Sequence, residues 1–293
     1  MRSFFSFFGV VLVLSTAGYG QATFRQTLTD PEVVYRGYAA INYLTVDAGF
    51  SNTSGASLWS IGADVLYPIN DNLRVDAFGY YSLLSLESDG LPFLFSGGVE
   101  YGLFKKTKNK KVPVLLAFSY EKDYVNNKEL QTWSTVALPG TIQREFTARG
   151  GVYLRNSAFE YDENQVFFDV TNVFHAGVYA GIGYTKRTFL HVQDEDGYTF
   201  AYGRQVRPYA DLMILPTSVD VRDEATNTSL SLEETLGWRA GLTWQLTPFT
   251  KAENFDRKIG FFGNTLFRLE IGNRPLDGFY ITTGVAFTIK KFR

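Results

Sequence analysis

The sequence predicts an all-β fold, a single antiparallel transmembrane β-barrel of about twelve strands, with roughly ten to fourteen admissible. Three observations lead there. Apolar and polar residues alternate with period two through most of the chain after residue 37, which is the pattern of a strand with one apolar and one polar face. Many alternating segments run to about ten residues or more, whereas strands of soluble proteins average about five or six and a tilted bilayer-spanning strand needs about 9–11. Aromatic residues make up 16% of the chain and often stand at segment ends, as in Trp59 and Tyr67, Phe93 and Tyr101, Trp238 and Phe249, or Phe279 and Phe287, which is where the two interfaces of a membrane barrel hold them.

Residues 1–20 read as a signal peptide. Arg2 supplies the basic start, Phe4 to Leu14 an apolar stretch, and Ser15-Thr16-Ala17-Gly18 the small residues before cleavage. The apolar stretch is shorter than the ~20 residues of a spanning helix. Cleavage fits after Gly20 or Ala22, with Gln21 the expected mature start and no transmembrane helix beyond it. Residues 21–37, which include Pro31, are expected to form a periplasmic N-terminal arm or one more strand, and 38–293 the barrel.

Strands are expected at 38–50, 57–68, 73–86, 93–106, 112–123, 145–155, 165–185, 206–217, 238–247, 261–272 and 279–289. In the fifth, Val112, Val114, Leu116, Phe118 and Tyr120 share a face opposite Ala117, Ser119, Glu121 and Asp123. In the sixth, Phe146, Ala148, Val152 and Leu154 oppose Glu145, Thr147, Arg149 and Arg155, and in the ninth Trp238, Leu242 and Trp244 oppose Arg239, Thr243 and Gln245. Asn70-Asp71-Asn72, Lys105 to Lys111 and Asp162-Glu163-Asn164 read as short turns, and 126–140, 186–204 and 249–260 as longer polar loops on the opposite rim. Segments 218–236 and 273–278 depart from that short-long alternation.

Composition excludes several classes. The chain has no cysteine, hence no disulfide framework and no Cys-ligated zinc or iron–sulfur centre, and its two histidines leave little for a His-based site, so neither metal nor cofactor is expected. With 28 basic against 30 acidic residues there is no electrostatic footprint for nucleic acid.

The chain ends Phe279-Tyr280-Ile281-Thr282-Thr283-Gly284-Val285-Ala286-Phe287-Thr288-Ile289-Lys290-Lys291-Phe292-Arg293. With the signal peptide and the amphipathic strands, residues 38–293 resemble the outer-membrane β-barrel proteins of Gram-negative bacteria, and Gln21 and the Gly-Val-Ala-Phe-Thr-Ile ending look like barrels of Bacteroidetes-type organisms. In that family a final aromatic residue is read by the insertion machinery. Phe292 is similar to it, while Arg293 after it and Lys290-Lys291 before it depart from the pattern. The resemblance implies residence in the outer membrane, contact with its lipid, and partners among other envelope proteins met through extracellular loops or the N-terminal arm.

If the apolar faces meet lipid, alternation turns Asp64, Arg74, Asp76, Glu100, Glu121, Asp123, Glu145, Arg149, Arg155, Arg207, Asp211, Arg239, Arg268 and Glu270 inward. Acids dominate before residue 125 and arginines after it, so opposite signs are expected to face each other across the lumen. Such a field suits a narrow water-filled pore; paired off, the same groups make a salt-bridged plug. Catalytic signals are thin, and no catalytic residue is expected. His191 lies among Asp194, Glu195 and Asp196 in what reads as a solvated loop, and His175 as a hydrogen-bonded lumen histidine. The lysines at 105, 106, 108, 110 and 111 read as a solvated turn with some capacity to attract phosphate-bearing headgroups or a partner.

The expected function is that of a non-enzymatic barrel, either a narrow pore or transporter for small polar solutes or a scaffold subunit of an envelope complex. Three alternatives stay open: a salt-bridge-plugged barrel for structure or partner binding in secretion or surface assembly, a barrel-embedded hydrolase, and a secreted soluble β-protein.

Overall fold

Period-two alternation produces strands wherever it is expected, and a computed structural model shows how far each one runs. It describes residues 24–27, 37–50, 53–54, 56–85, 92–123, 128–163, 166–194, 199–223, 228–251 and 265–292. The expected signal peptide and most of the expected N-terminal arm lie outside these residues. The elements are β1 (Phe24–Thr27), β2 (Gly37–Gly49), β3 (Thr53–Ser54), β4 (Ala56–Pro68), β5 (Leu73–Ser85), β6 (Phe93–Asp123), β7 (Lys128–Glu163), β8 (Val166–Asp194), β9 (Thr199–Asp223), β10 (Thr228–Lys251), β11 (Thr265–Arg274) and β12 (Gly278–Phe292).

Ten of them, β2 and β4 to β12, form a closed antiparallel barrel in chain order, sealed where β12 pairs with β2 from Phe292↔Gly37 to Tyr280↔Gly49. The end where Gly37 meets Phe292 is the terminal rim; the other is the far rim. Short β1 adds to β8 near the terminal rim (Phe24↔Asp194), and β3 adds to β7 near the far rim (Thr53↔Tyr161).

The ring therefore has ten strands, fewer than the expected twelve or so. The expected segments 93–106 and 112–123 are one strand, β6. The lysine segment between them is strand rather than turn, because charge alone does not break a strand whose backbone stays paired, here Lys105↔Glu145 through Lys111↔Pro139. For the same reason most of 126–140 belongs to β7, and 186–204 is largely β8 and β9. Asp162 and Glu163 close β7, Asn70 to Asn72 form a turn as expected, and Pro275 to Asp277 turn the chain between β11 and β12.

Several hairpins outgrow the ring. β5 pairs with β6 only from Tyr81↔Phe93 to Leu73↔Tyr101, and β7 with β8 only down to Thr141↔Phe189, so β6 and β7 continue past the terminal rim as a two-stranded ribbon to Asp123↔Lys128. At the far rim β9 and β10 extend to Asp223↔Thr228.

The two faces of the ring differ in polarity, and the outer one is the apolar one. Along β10, Trp238 and Leu242 point out while Arg239, Thr243 and Gln245 point in. Exposed aromatics form a collar towards the far rim (Trp59, Tyr81, Phe95, Phe174, Trp238, Phe279) and another towards the terminal rim (Tyr67, Tyr101, Phe104, Phe146). Between the collars the exposed residues include Ile61, Val99, Val178, Ile182, Leu242 and Leu269. Trp59 and Tyr67 stand on one strand, separated by about 20 Å of barrel height at ~3.3 Å per residue and a tilt of ~40°.

Candidate functional site: an ion-paired bore

The bore is the only region of the described fold where chemistry-bearing side chains converge from every direction, and its size explains its contents. A ring of about eight strands has an interior that side chains just fill, and ten leave room for longer ones. The chain meets this with arginine and tyrosine opposite glycine. Tyr209 lies over Gly241, where a Cβ would collide with its ring, and Tyr179, the cross-strand partner of Gly151, brings its hydroxyl to Gly98 on the next strand, where a Cβ would meet it.

Asp64, Arg74, Asp76, Glu100, Glu145, Arg149, Arg207, Asp211, Arg239, Arg268 and Glu270 are buried inside the ring, with Arg155 nearly so at its far end. The remaining two of the expected set, Glu121 and Asp123, belong to the ribbon. Alternation continues along β6 after the ring has ended, so parity assigned them to a lumen that their stretch of strand does not border. Their side chains lie outside the described residues, as does that of His191.

Four further charges face inward that alternation from the sequence did not reach: Asp47, Arg187, Arg274 and Asp277. Arg274 and Arg187 lie in phase with Arg268 and His175 and needed only longer segments. Asp47 is brought into phase by a bulge between Asn42 and Thr45, which turns odd-numbered residues of β2 inward after even-numbered ones. Asp277 sits in a turn, where parity has no meaning. Among the described residues the bore thus holds eight arginines and eight carboxylates.

They pair across the lumen in three tiers. Nearest the far rim Asp47 (β2) is the hub. It accepts from Arg274 of β11 at 2.8 and 3.1 Å, from Tyr80 of β5 at 2.7 Å and from Thr282 of β12 at 2.5 Å, and Arg155 of β7 reaches it at 3.4 Å from the other side. Arg155 also pairs with Asp277, so the β11–β12 turn is held over the bore.

In the middle tier Arg207 of β9 touches three walls: Glu100 of β6 at 2.7 Å, Asp76 of β5 at 3.4 Å and the Tyr38 hydroxyl of β2 at 3.1 Å. Arg239 of β10 binds Asp211 at 2.8 Å and donates across the bore to Ser96 of β6 at 3.0 Å. Arg268 of β11 clasps Asp64 of β4 at 2.5 and 3.0 Å, and Arg149 bridges Asp76 and Asp211 at 3.2 and 3.1 Å. Guanidinium groups also stack on rings, Arg149 on Tyr209 at 3.9 Å and Arg239 on Tyr179 at 4.3 Å. Towards the terminal rim Glu145 is shared by Arg74 at 2.8 Å and Arg187 at 3.0 Å, beside an apolar cluster of Tyr38, Ala40, Leu66, Leu266 and Ala286.

This arrangement is suited to holding walls together and poorly suited to passing solute. Breaking one partner of a buried pair leaves an uncompensated charge, typically a loss of about 3–5 kcal/mol, so each arginine is committed to its place. His175 is part of the same lattice. Its Nδ1 lies 3.1 Å from Thr217 Oγ1, and Thr217 in turn donates to the Leu215 carbonyl at 3.0 Å, so the hydroxyl proton points away from the imidazole that would have to remove it in nucleophilic catalysis. No group of three or more His, Cys, Asp or Glu with metal-holding geometry occurs among the described residues.

No protein-family model matches the chain, and no curated protein matches it at a significant level.

Proposed function

We propose that the chain is a transmembrane barrel of the bacterial outer membrane whose bore is closed by its own ion pairs, and that it works as a structural or partner-binding element of the envelope. The lattice across the bore is the observation that carries this reading. Three middle-tier arginines, Arg207, Arg239 and Arg268, each reach a strand at least three places away around the ring, so the lumen is occupied by the groups that would otherwise line a water path.

Placement in a membrane is supported by the outer surface. Exposed apolar side chains from strand after strand around the ring, among them Ile61, Val99, Val178, Ile182, Leu242 and Leu269, lie between two aromatic collars about 20 Å apart, which suits the ~25 Å apolar band of a bilayer-spanning barrel. A soluble barrel would carry the opposite polarity, with its apolar residues inside. The apparent export segment at 1–20 and the resemblance of the final strand to outer-membrane barrels agree with that location.

The test is conductance and folding measured together. The purified full chain should require detergent, migrate as a heat-modifiable species, and insert into planar bilayers without stable single-channel current. Discrete, reproducible channels from the folded protein would overturn the closed-bore reading and restore the narrow pore.

A further inference from the structure

The outer wall near the terminal rim carries a pattern that the closed bore does not explain. Phe104 of β6 is the cross-strand partner of Phe146 of β7, which is the partner of Tyr184 of β8, with the Phe146 and Tyr184 ring centroids 4.9 Å apart. Two residues further towards the terminal rim on each of these strands, Lys106 is the partner of Arg144, and Arg144 the partner of Lys186. Three cations therefore stand side by side on three hydrogen-bonded strands, about 4.8 Å apart from strand to strand. Like charges directly opposite one another on a sheet repel and destabilise it. The next row repeats the sign, with Lys108 on β6 and Arg204 on β9 separated by Ile142 and Thr188. Neither row contains a carboxylate. Lys106 and Arg144 are exposed, and Arg204 stacks on Trp244 at 5.4 Å.

We infer that this ladder, Lys106–Arg144–Lys186 with Lys108 and Arg204 beneath it, is a binding site for the phosphate groups of anionic glycerophospholipids, those with no headgroup cation to neutralise the phosphate, in the leaflet on the terminal side. The inference rests on the proposed membrane placement. Aromatic rings at the end of an apolar band mark the level where acyl chain meets headgroup, and the cations begin one row beyond it, at the depth of the phosphates. An anion between the strands turns a repulsive row into a set of charge-assisted hydrogen bonds, and the arginine supplies a fork that fits phosphate oxygens. The polar neighbour Thr188 and the stacked Arg204–Trp244 pair extend the site along the same rim.

The experiment uses the full chain folded into vesicles of pure phosphatidylcholine and into vesicles of phosphatidylcholine with phosphatidylglycerol. Protein is then extracted, and the lipid that stays bound is counted by native mass spectrometry. A basic residue near an anionic surface is worth about a fivefold preference, so the ladder should enrich phosphatidylglycerol over its bulk ratio by tenfold or more. The variant Lys106→Gln/Arg144→Gln/Lys186→Gln should fold equally well and bring the bound ratio back to bulk, while Lys106→Arg/Lys186→Arg should retain the enrichment. Insertion into pure phosphatidylcholine with no enrichment in mixed vesicles would overturn the inference and leave the membrane placement standing, whereas failure to insert in either would overturn both. Loss of the enrichment in millimolar inorganic phosphate, at constant ionic strength, would assign the site to free phosphate and overturn the lipid source.

Discussion

Between Phe93 and Tyr101 strand β6 has a partner on each edge; from Leu103 to Asp123 it has β7 alone. The two stretches belong to one strand with one alternation, yet they obey different rules. In the first, the inner face borders a closed bore, and Ser96 and Glu100 are each tied to an arginine from another wall. In the second, the lysines at 105, 106, 108, 110 and 111 are all exposed, so groups outside the fold, solvent or the headgroup phosphates inferred for Lys106 and Lys108, can do for them what ion pairing does inside. Ring closure, more than strand formation, thus decides which charges must be matched. A residue's partner on its own hairpin makes it a strand; a second partner on the other edge places it against the bore.

The sharpest way to break that comparison is to add a charge to the ring. Thr243 is 3% exposed and faces inward between its cross-strand partners Arg207 and Arg268. Arginine at this position would be a third guanidinium beside two, in a bore whose charges among the described residues already balance at eight of each sign, and should cost upwards of about 5 kcal/mol, enough to prevent a stable heat-modifiable form. Its neighbour Leu242 faces outward, where Leu242→Arg near the middle of the apolar band should cost about 2–4 kcal/mol. Urea unfolding from detergent or lipid would rank the two. A milder effect at 243 than at 242 would mean that the bore is hydrated and open.

Removing a charge tests the far-rim tier. Asp47→Leu leaves Arg155 and Arg274 without their common acceptor and should cost about 3–5 kcal/mol. Because the loss comes from stranded cations rather than from a missing attraction, adding Arg274→Met to the same chain should recover a large part of it. The non-additivity of that double-mutant cycle is the quantity to measure. Additive losses would show that Asp47 and Arg274 act independently.

Much of the barrel was legible in the sequence because both of its faces are strongly constrained. Arg239, Thr243 and Gln245 alternate with Trp238, Leu242 and Trp244 without interruption, and the same regularity runs through Arg268 and Glu270. Strand ends were harder. Lys105 to Lys111 has the composition of a turn, yet an edge strand tolerates lysine well, since a charged side chain there discourages edge-to-edge association. The bulge at Asn42–Thr45 shifts parity in a way that depends on backbone register, so Asp47, the hub of a whole tier, carried no signal. Pairing between distant strands, such as Arg268 with Asp64, cannot be read from alternation, which fixes the face a residue occupies and leaves its opposite number to the size and shear of the ring.

The smallest expected effect belongs to the ribbon. Lys110 and Gly140 are cross-strand partners just below the last β7–β8 pairing at Thr141↔Phe189, so replacing residues 111–139 with an Asn-Gly turn would close the hairpin where the ring ends. A two-stranded ribbon contributes little by itself, because hairpins without a third strand are marginally stable in water. The shortened chain should keep its heat-modifiable form, with its unfolding free energy within about 2 kcal/mol of the parent; the cost arises chiefly from Val112 and Leu138, which are buried near Leu190 and Gly140 at the base of the ribbon. A loss comparable with that of Asp47→Leu would show that the ribbon is part of the barrel's folding unit and would undo the distinction between one-partner and two-partner strand. Retention of the fold with loss of an envelope partner from cross-linked membranes would instead assign the ribbon to docking.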